Sequence, residues 1–219
     1  LKQQGFSDVV RVSDPNEQQL RSAFENFIDK YGYDEGNRLL FYFSGHGHSF
    51  DNDIRGYLVP TDAPNPNYDR KGFLRKALSM NEILSWSRKM DAKHALFLFD
   101  SCFSGTIFQS RSLPAVPPHI NNFSLLPVRQ YITAGGAKDE VPAQSTFTPV
   151  FVDALKYQLA DMNKDGYITG TELGMYLEQR VPESVKQIPQ FGKIKDYRLA
   201  RGDFIFVKPA KKPDEVVKL

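Results

Sequence analysis

Two apolar runs, each cut off by turn residues, constrain this chain more than any other feature. Leu39-Leu40-Phe41-Tyr42-Phe43 stops at Ser44-Gly45-His46-Gly47, and Ala95-Leu96-Phe97-Leu98-Phe99 stops at Asp100-Ser101-Cys102-Phe103-Ser104-Gly105. Short apolar runs bounded by Gly and Ser read as buried strands, and open parallel sheets gather their chemistry at the strands' carboxyl ends. A histidine and the chain's one cysteine are therefore expected at the same edge of one sheet. A thiol becomes a nucleophile when a nearby imidazole takes its proton. A lone cysteine is more often a small buried hydrophobe. Cys102, however, lies past its apolar run, beside polar Ser101 and a Phe-Ser-Gly turn. Glycines on both sides of His46 let the backbone turn sharply and let another group come close.

The rest of the chain alternates strand and helix. Val9 to Val12 reads as a short strand. Asn16 to Tyr31 reads as a helix with Leu20, Phe24, Phe27 and Ile28 on one face and Asp14-Pro15 as cap and first turn. After the histidine strand comes a polar loop, Phe50 to Leu74. Ser79 to Met90 is a second helix, with Met80, Ile83, Leu84 and Ser87 at helical spacing and Trp86 beside them. Then follow the cysteine strand, a strand at Gln130 to Ala134, a helix at Thr148 to Ala160 and a late strand at Phe204 to Val207. This alternation implies an α/β fold with mostly parallel strands and helices on both faces.

The two strand-end motifs resemble those of the caspase-like cysteine peptidases, and within them the metacaspase-like proteins of bacterial type. Gly56-Tyr57-Leu58-Val59-Pro60, Arg129-Gln130-Tyr131-Ile132-Thr133-Ala134-Gly135 and Pro189-Gln190-Phe191-Gly192-Lys193 extend the resemblance over nearly the whole chain. The 56 residues from His46 to Cys102 also match the rough spacing of about 50 known for a caspase histidine upstream of its cysteine. Asp100-Ser101 stands where animal caspases carry Gln-Ala, which points to the metacaspase side. The resemblance implies a caspase-like three-layer sandwich and a Cys102–His46 dyad, with the backbone N–H groups of Gly47 and Cys102 as the oxyanion hole. It also implies a substrate pocket lined by Ser44 and Asp100, where a carboxylate selects Arg or Lys over Asp. The family carries a strand and most of a helix before Lys2-Gln3-Gln4-Gly5-Phe6. The expectation is therefore a truncated peptidase domain over 1–207 whose first, central strand is missing, followed by a linker at 208–219. The proline-rich segment Gln109 to Pro127 corresponds to the region between the family's large and small subunits, and Arg111 is a candidate self-cleavage site there.

A second motif is independent of the first. Asp161-Met162-Asn163-Lys164-Asp165-Gly166-Tyr167-Ile168-Thr169-Gly170-Thr171-Glu172 matches the twelve-residue EF-hand loop at its diagnostic positions. Asp161, Asn163 and Asp165 supply side-chain oxygens, Tyr167 its carbonyl, Thr169 a direct or water-borne contact, and Glu172 two oxygens. Calcium is the expected ion, bracing the flanking helices or modulating activity. The bland alternative is an acidic turn joining two helices, and no second loop is present to pair with this one.

Composition removes other classes. Net charge is +2, with Lys and Arg dispersed, so nothing favours nucleic acid. No apolar stretch approaches the ~20 residues of a membrane span. A single cysteine forbids an intrachain disulfide and suits a reducing cytoplasm. His48 with Asp51 and Asp53 lacks the ligand spacing of a metal site, and His94 and His119 read as structural or solvated. The expected partners are protein or peptide substrates, with fusion to other domains. The competing reading is a catalytically silent caspase-like interaction module, or a calcium-responsive regulatory module of a larger protein.

Overall fold

The computed structural model describes residues 1–50, 55–102, 108–109, 124–135 and 145–206. A five-stranded sheet carries the molecule. Its strands, in spatial order, are β1 (Arg38–Ser44), β5 (His94–Cys102), β7 (Val128–Gly135), β9 (Gln190–Ile194) and β6 (Phe108–Gln109). β1, β5 and β7 run parallel, β1 in register with β5 throughout and β7 with β5 up to a shift between Phe99 and Cys102, while β9 is antiparallel to both β7 and β6. The carboxyl ends of the three parallel strands share one edge, where Ser44 stands beside Asp100 and Cys102 beside Gly135.

Side-chain parity on β5 explains the layers, because successive residues of a strand face opposite ways. Ala95, Phe97 and Phe99 join the core built with Leu20, Phe24 and Ile28 of α1 (Glu17–Tyr31) and with Ile83 and Leu84 of α3 (Met80–Lys89). Leu96 and Leu98 face the other way. They meet Phe151 and Leu155 of α4 (Phe147–Lys156) and Leu173 and Leu177 of α5 (Gly170–Arg180). Across the first face Phe41, Phe97 and Tyr131 stack in register from β1 to β7, with centroids 4.5 and 4.9 Å apart. The result is a three-layer sandwich with a mainly parallel sheet and helices on both faces, as expected.

Several local expectations are corrected. Val9–Val12 forms no strand: it pairs with no ladder among the described residues, and its valines are exposed. A strand persists only when its peptide groups find a partner ladder, and between this segment and β1 lies a groove of about 840 Å³ lined by Val9, Val10, Leu40 and Tyr42. β1 is accordingly an edge strand among the described residues. Helix α1 is capped by Asn16 rather than Asp14, because Asn16 and Gln19 form a reciprocal capping box. The supposed loop from Phe50 to Leu74 is partly ordered. β2 (Gly47–Phe50), β3 (Arg55–Leu58) and β4 (Leu78–Ser79) make a small antiparallel sheet. Helix α2 (Arg70–Lys76) packs beside it through Phe73. His48 belongs to that aromatic cluster, edge-on to Phe50 and Phe73. Helix α4 stops at Lys156, short of Ala160, where Gln158 takes the left-handed conformation (φ 57°).

The late strand also differs from expectation. β10 (Ile205–Phe206) joins not the main sheet but β8 (Ile168–Thr169), the short strand inside the acidic loop. An isolated loop of this kind needs a partner for its backbone, and Ile205–Phe206 provides it. Val207, the linker at 208–219, Arg111 and His119 lie outside the described residues.

Candidate active site

The site grows out of the β1–β5 register. Ser44 is paired with Asp100, and Gly45 donates its N–H to the Asp100 carbonyl at 3.2 Å. Two residues further along each strand the chain reaches His46 and Cys102. His46 is exposed, and its carbonyl accepts from the Val59 N–H at 3.0 Å. That bond, with Gly47 opposite Leu58, makes Gly47 a non-hydrogen-bonded pair, so its N–H is turned away from β3. For Cys102 the backbone is described and the side chain is not. The cysteine thus ends β5, and the histidine follows two residues after the end of the neighbouring parallel strand β1, at the same edge.

Behind this edge, strand parity assembles a polar cluster. Leu40, Tyr42 and Ser44 share a face of β1, and Asp100 continues the Leu96–Leu98 face of β5, so all point toward α4. Asp100 is buried (3 % exposed). Its Oδ2 accepts from Ser145 Oγ at 2.5 Å, Thr148 Oγ1 at 2.5 Å, Tyr42 Oη at 3.3 Å and Ser44 Oγ at 3.4 Å. The Tyr42 hydroxyl also meets Thr148 Oγ1. Burial first, then its bond to Thr148 and the nearby Asp100 charge, act on the Tyr42 phenol, with a net upward shift that keeps it a donor. Ser44 and Asp100, expected together, are together. Tyr42, Ser145 and Thr148 join them without any sequence motif to announce them. Tyr42 could have been found from its parity with Ser44, but nothing local marks Ser145 or Thr148.

A second groove, of about 470 Å³, runs along β1 to Ser44, Gly45 and His46 and shares Val10, Val12, Leu40 and Tyr42 with the larger one. Arg129, at the far end of β7, has a different task. Its buried guanidinium donates to the carbonyls of Ser87, Met90, Val128 and Lys93 at 2.6 to 3.1 Å, tying β7 to the end of α3.

The acidic loop keeps its side chains folded onto its own backbone. Asp161 accepts from the N–H groups of Asp165 and Gly166, Asn163 from Asp165, and Asp165 from Tyr167. Lys164 and Gly166 take positive φ (61° and 91°). Glu172 is the N3 partner of the Thr169 cap, its Oε2 accepting from both Thr169 N and Oγ1 at 2.9 Å. Among the described residues no three His, Cys, Asp or Glu side chains gather tightly enough to hold a metal ion. The donor set is nevertheless all oxygen, as calcium requires. Burial, with a smaller contribution from Asp165, raises the Glu172 carboxyl above the ordinary range, and a cation there would relieve both effects. The loop is anchored to the main sheet through Asp203, which accepts from Gln130 Nε2, Thr171 N and Thr171 Oγ1.

The caspase-domain family profile (Peptidase_C14) matches residues 1–195. The chain belongs to the caspase-domain family of cysteine peptidases. A stretch of 102 residues, 47% of the chain, is 31% identical to the Homo sapiens protein "Mucosa-associated lymphoid tissue lymphoma translocation protein 1". It covers 11% of that curated relative's length. No helix among the described residues is long and apolar enough to cross a membrane.

Proposed function

We propose that this chain is a cysteine endopeptidase of metacaspase-like type that cleaves after Arg or Lys. The observation that supports it most is the register of β1 on β5, which pairs Ser44 with Asp100, so that His46 follows two residues after the end of β1 and Cys102 closes β5 two residues after Asp100. In the reading we adopt, the Cys102 thiolate attacks the scissile carbonyl while His46 accepts the thiol proton. The tetrahedral oxyanion lies against the N–H groups of Gly47 and Cys102. Collapse breaks the C–N bond, His46 returns the proton to the leaving amine, and water then releases the acyl group from sulfur. Asp100, helped by Ser44, receives the basic side chain preceding the cleaved bond.

In the same reading Asp161, Asn163, Asp165, Tyr167, Thr169 and Glu172 hold calcium, which would supply a fixed positive charge bracing α4 against α5. Glu172 must then leave its contact with Thr169. Protein or peptide substrates, a cytoplasmic setting and fusion to further domains complete the proposal.

The test is hydrolysis of fluorogenic peptides ending in Arg, Lys or Asp, with and without calcium, with Cys102→Ala and His46→Ala as controls. Cleavage after Arg and Lys that both substitutions abolish is the expected result. A folded protein that cleaves none of the three overturns the peptidase reading in favour of a silent interaction module.

A further inference from the structure

Asp100 Oδ2 is oversubscribed. A carboxylate oxygen has about two lone-pair sites, yet four hydroxyls lie within 3.4 Å of this one. Ser145 Oγ accepts from the Thr148 N–H at 3.0 Å, which leaves its own proton for Asp100. Thr148 gives its proton to Asp100, so the proton in the Tyr42–Thr148 contact comes from Tyr42. Two short bonds of 2.5 Å, from Ser145 just before α4 and from Thr148 in its first turn, therefore saturate the oxygen. Tyr42 is committed to Thr148, and Ser44 at 3.4 Å is marginal. With Asp100 almost wholly buried, a basic side chain cannot take this oxygen unless the α4 hydroxyls yield it.

The geometry points to Ser145 and Thr148 as specificity-determining residues that occupy Asp100 in place of a substrate cation and set how tightly a basic side chain is bound. This inference rests on the reading of Asp100 as the basic-residue pocket. The hydroxyls act as internal competitors. They keep the carboxylate hydrogen-bonded when the pocket is empty, and each must be exchanged for an N–H of the incoming group. Every basic ligand is penalised by the bonds it displaces. A guanidinium, whose planar fork spans both carboxylate oxygens at once, recovers more of that penalty than an ammonium. Ser145 and Thr148 thus favour arginine over lysine.

The two roles open to these residues give opposite signs. A purely structural pair would, when truncated, loosen the pocket and weaken binding. A competing pair would, when truncated, free Asp100 and strengthen it. The experiment is calorimetric binding of an acetylated tetrapeptide ending in argininamide, and of its lysine and aspartate counterparts, to Cys102→Ala protein with and without Ser145→Ala and Thr148→Val. The expected result is an arginine-peptide Kd about ten-fold lower in the double variant, as for loss of a competing hydrogen bond to a charged group. The lysine peptide should gain more, the aspartate peptide nothing, and Thr148→Ser alone, which keeps both hydroxyls, should leave the starting value. In active protein the gain should fall in KM rather than in kcat.

An unchanged or weaker arginine Kd in folded double variant, with binding still lost on Asp100→Asn, overturns this inference alone. Arginine binding that is indifferent to Asp100→Asn, or absent from every variant, overturns the pocket reading and this inference with it.

Discussion

Gly174 of α5 lies directly beneath the ring of Phe191 in β9: a Cβ at position 174 would sit 2.3 Å from Phe191 Cγ and 2.7 Å from its Cβ. Those atoms belong to the root of the side chain, so the helix would have to lift from the strand. Gly174→Ala is expected to destabilise the protein by about 1–3 kcal/mol, the usual cost of overpacking. Thermal unfolding should read a fall of roughly 2–4 °C per kcal/mol for a chain of this size. An unchanged midpoint would mean that α5 does not seat on β9 at this depth.

Arg129 offers a second stability test, because its guanidinium is buried and donates to four backbone carbonyls. Arg129→Met keeps the volume and removes every donor. The Lys93 carbonyl keeps the Val128 N–H at 2.7 Å, but buried carbonyls left without a donor cost about 1–3 kcal/mol each, so urea denaturation should show a larger loss for Arg129→Met than for Gly174→Ala. A loss below about 1 kcal/mol would place solvent at those carbonyls.

His94 supplies the acid limb of the stability curve. Burial, foremost among the influences on it, lowers its pKa, so the folded state holds the ring neutral while the unfolded chain binds a proton below about pH 6.5. The unfolded state then binds more protons, and stability falls as pH drops from about 6.5 toward the depressed folded value. Denaturation midpoints between pH 7.5 and 5.5 should follow this slope, and His94→Phe should flatten it. A slope that survives the substitution would assign it to other groups, His48 among them, whose pKa is also lowered by burial.

Glu172 runs the opposite way. Burial raises its pKa, so without a cation the folded state binds more protons, and stability is lost as pH climbs from the ordinary glutamate value to the raised one. Calcium competes with that proton, so its binding should weaken on acidification. The expected outcome is a calcium-dependent rise in melting temperature at pH 7.5 that shrinks at pH 5. Glu172→Gln should abolish the rise and by itself raise the midpoint in chelator. Identical melting curves with calcium and chelator at pH 7.5 would leave the loop as an acidic turn.

How far the chain can be read depends on whether its signals are local. The histidine and cysteine just past their apolar runs and the amphipathic faces of α1 and α3 follow from runs of neighbouring residues, whereas the Ser44–Asp100 pair is expected only from the family resemblance. Val9–Val12 misleads because its alternation is strand-like, whereas strand formation depends on a partner that sequence pattern does not reveal. The small sheet built from β2, β3 and β4 escapes notice because its strands are two to four residues long. Ser145 and Thr148 cannot be foreseen at all. They reach Asp100 through the placement of α4 on the sheet, 45 and 48 residues downstream, and carry no motif of their own.

Among the described residues, the outer rim of β1 leaves peptide groups facing a furrow rather than another strand. Natural sheets guard such rims with charge, proline or a bulge. From Arg38 to Ser44 there is one charged residue, at the start, and no proline. Among the described residues that rim is therefore a template of unpaired peptide groups, on which an added extended segment would find a ready ladder.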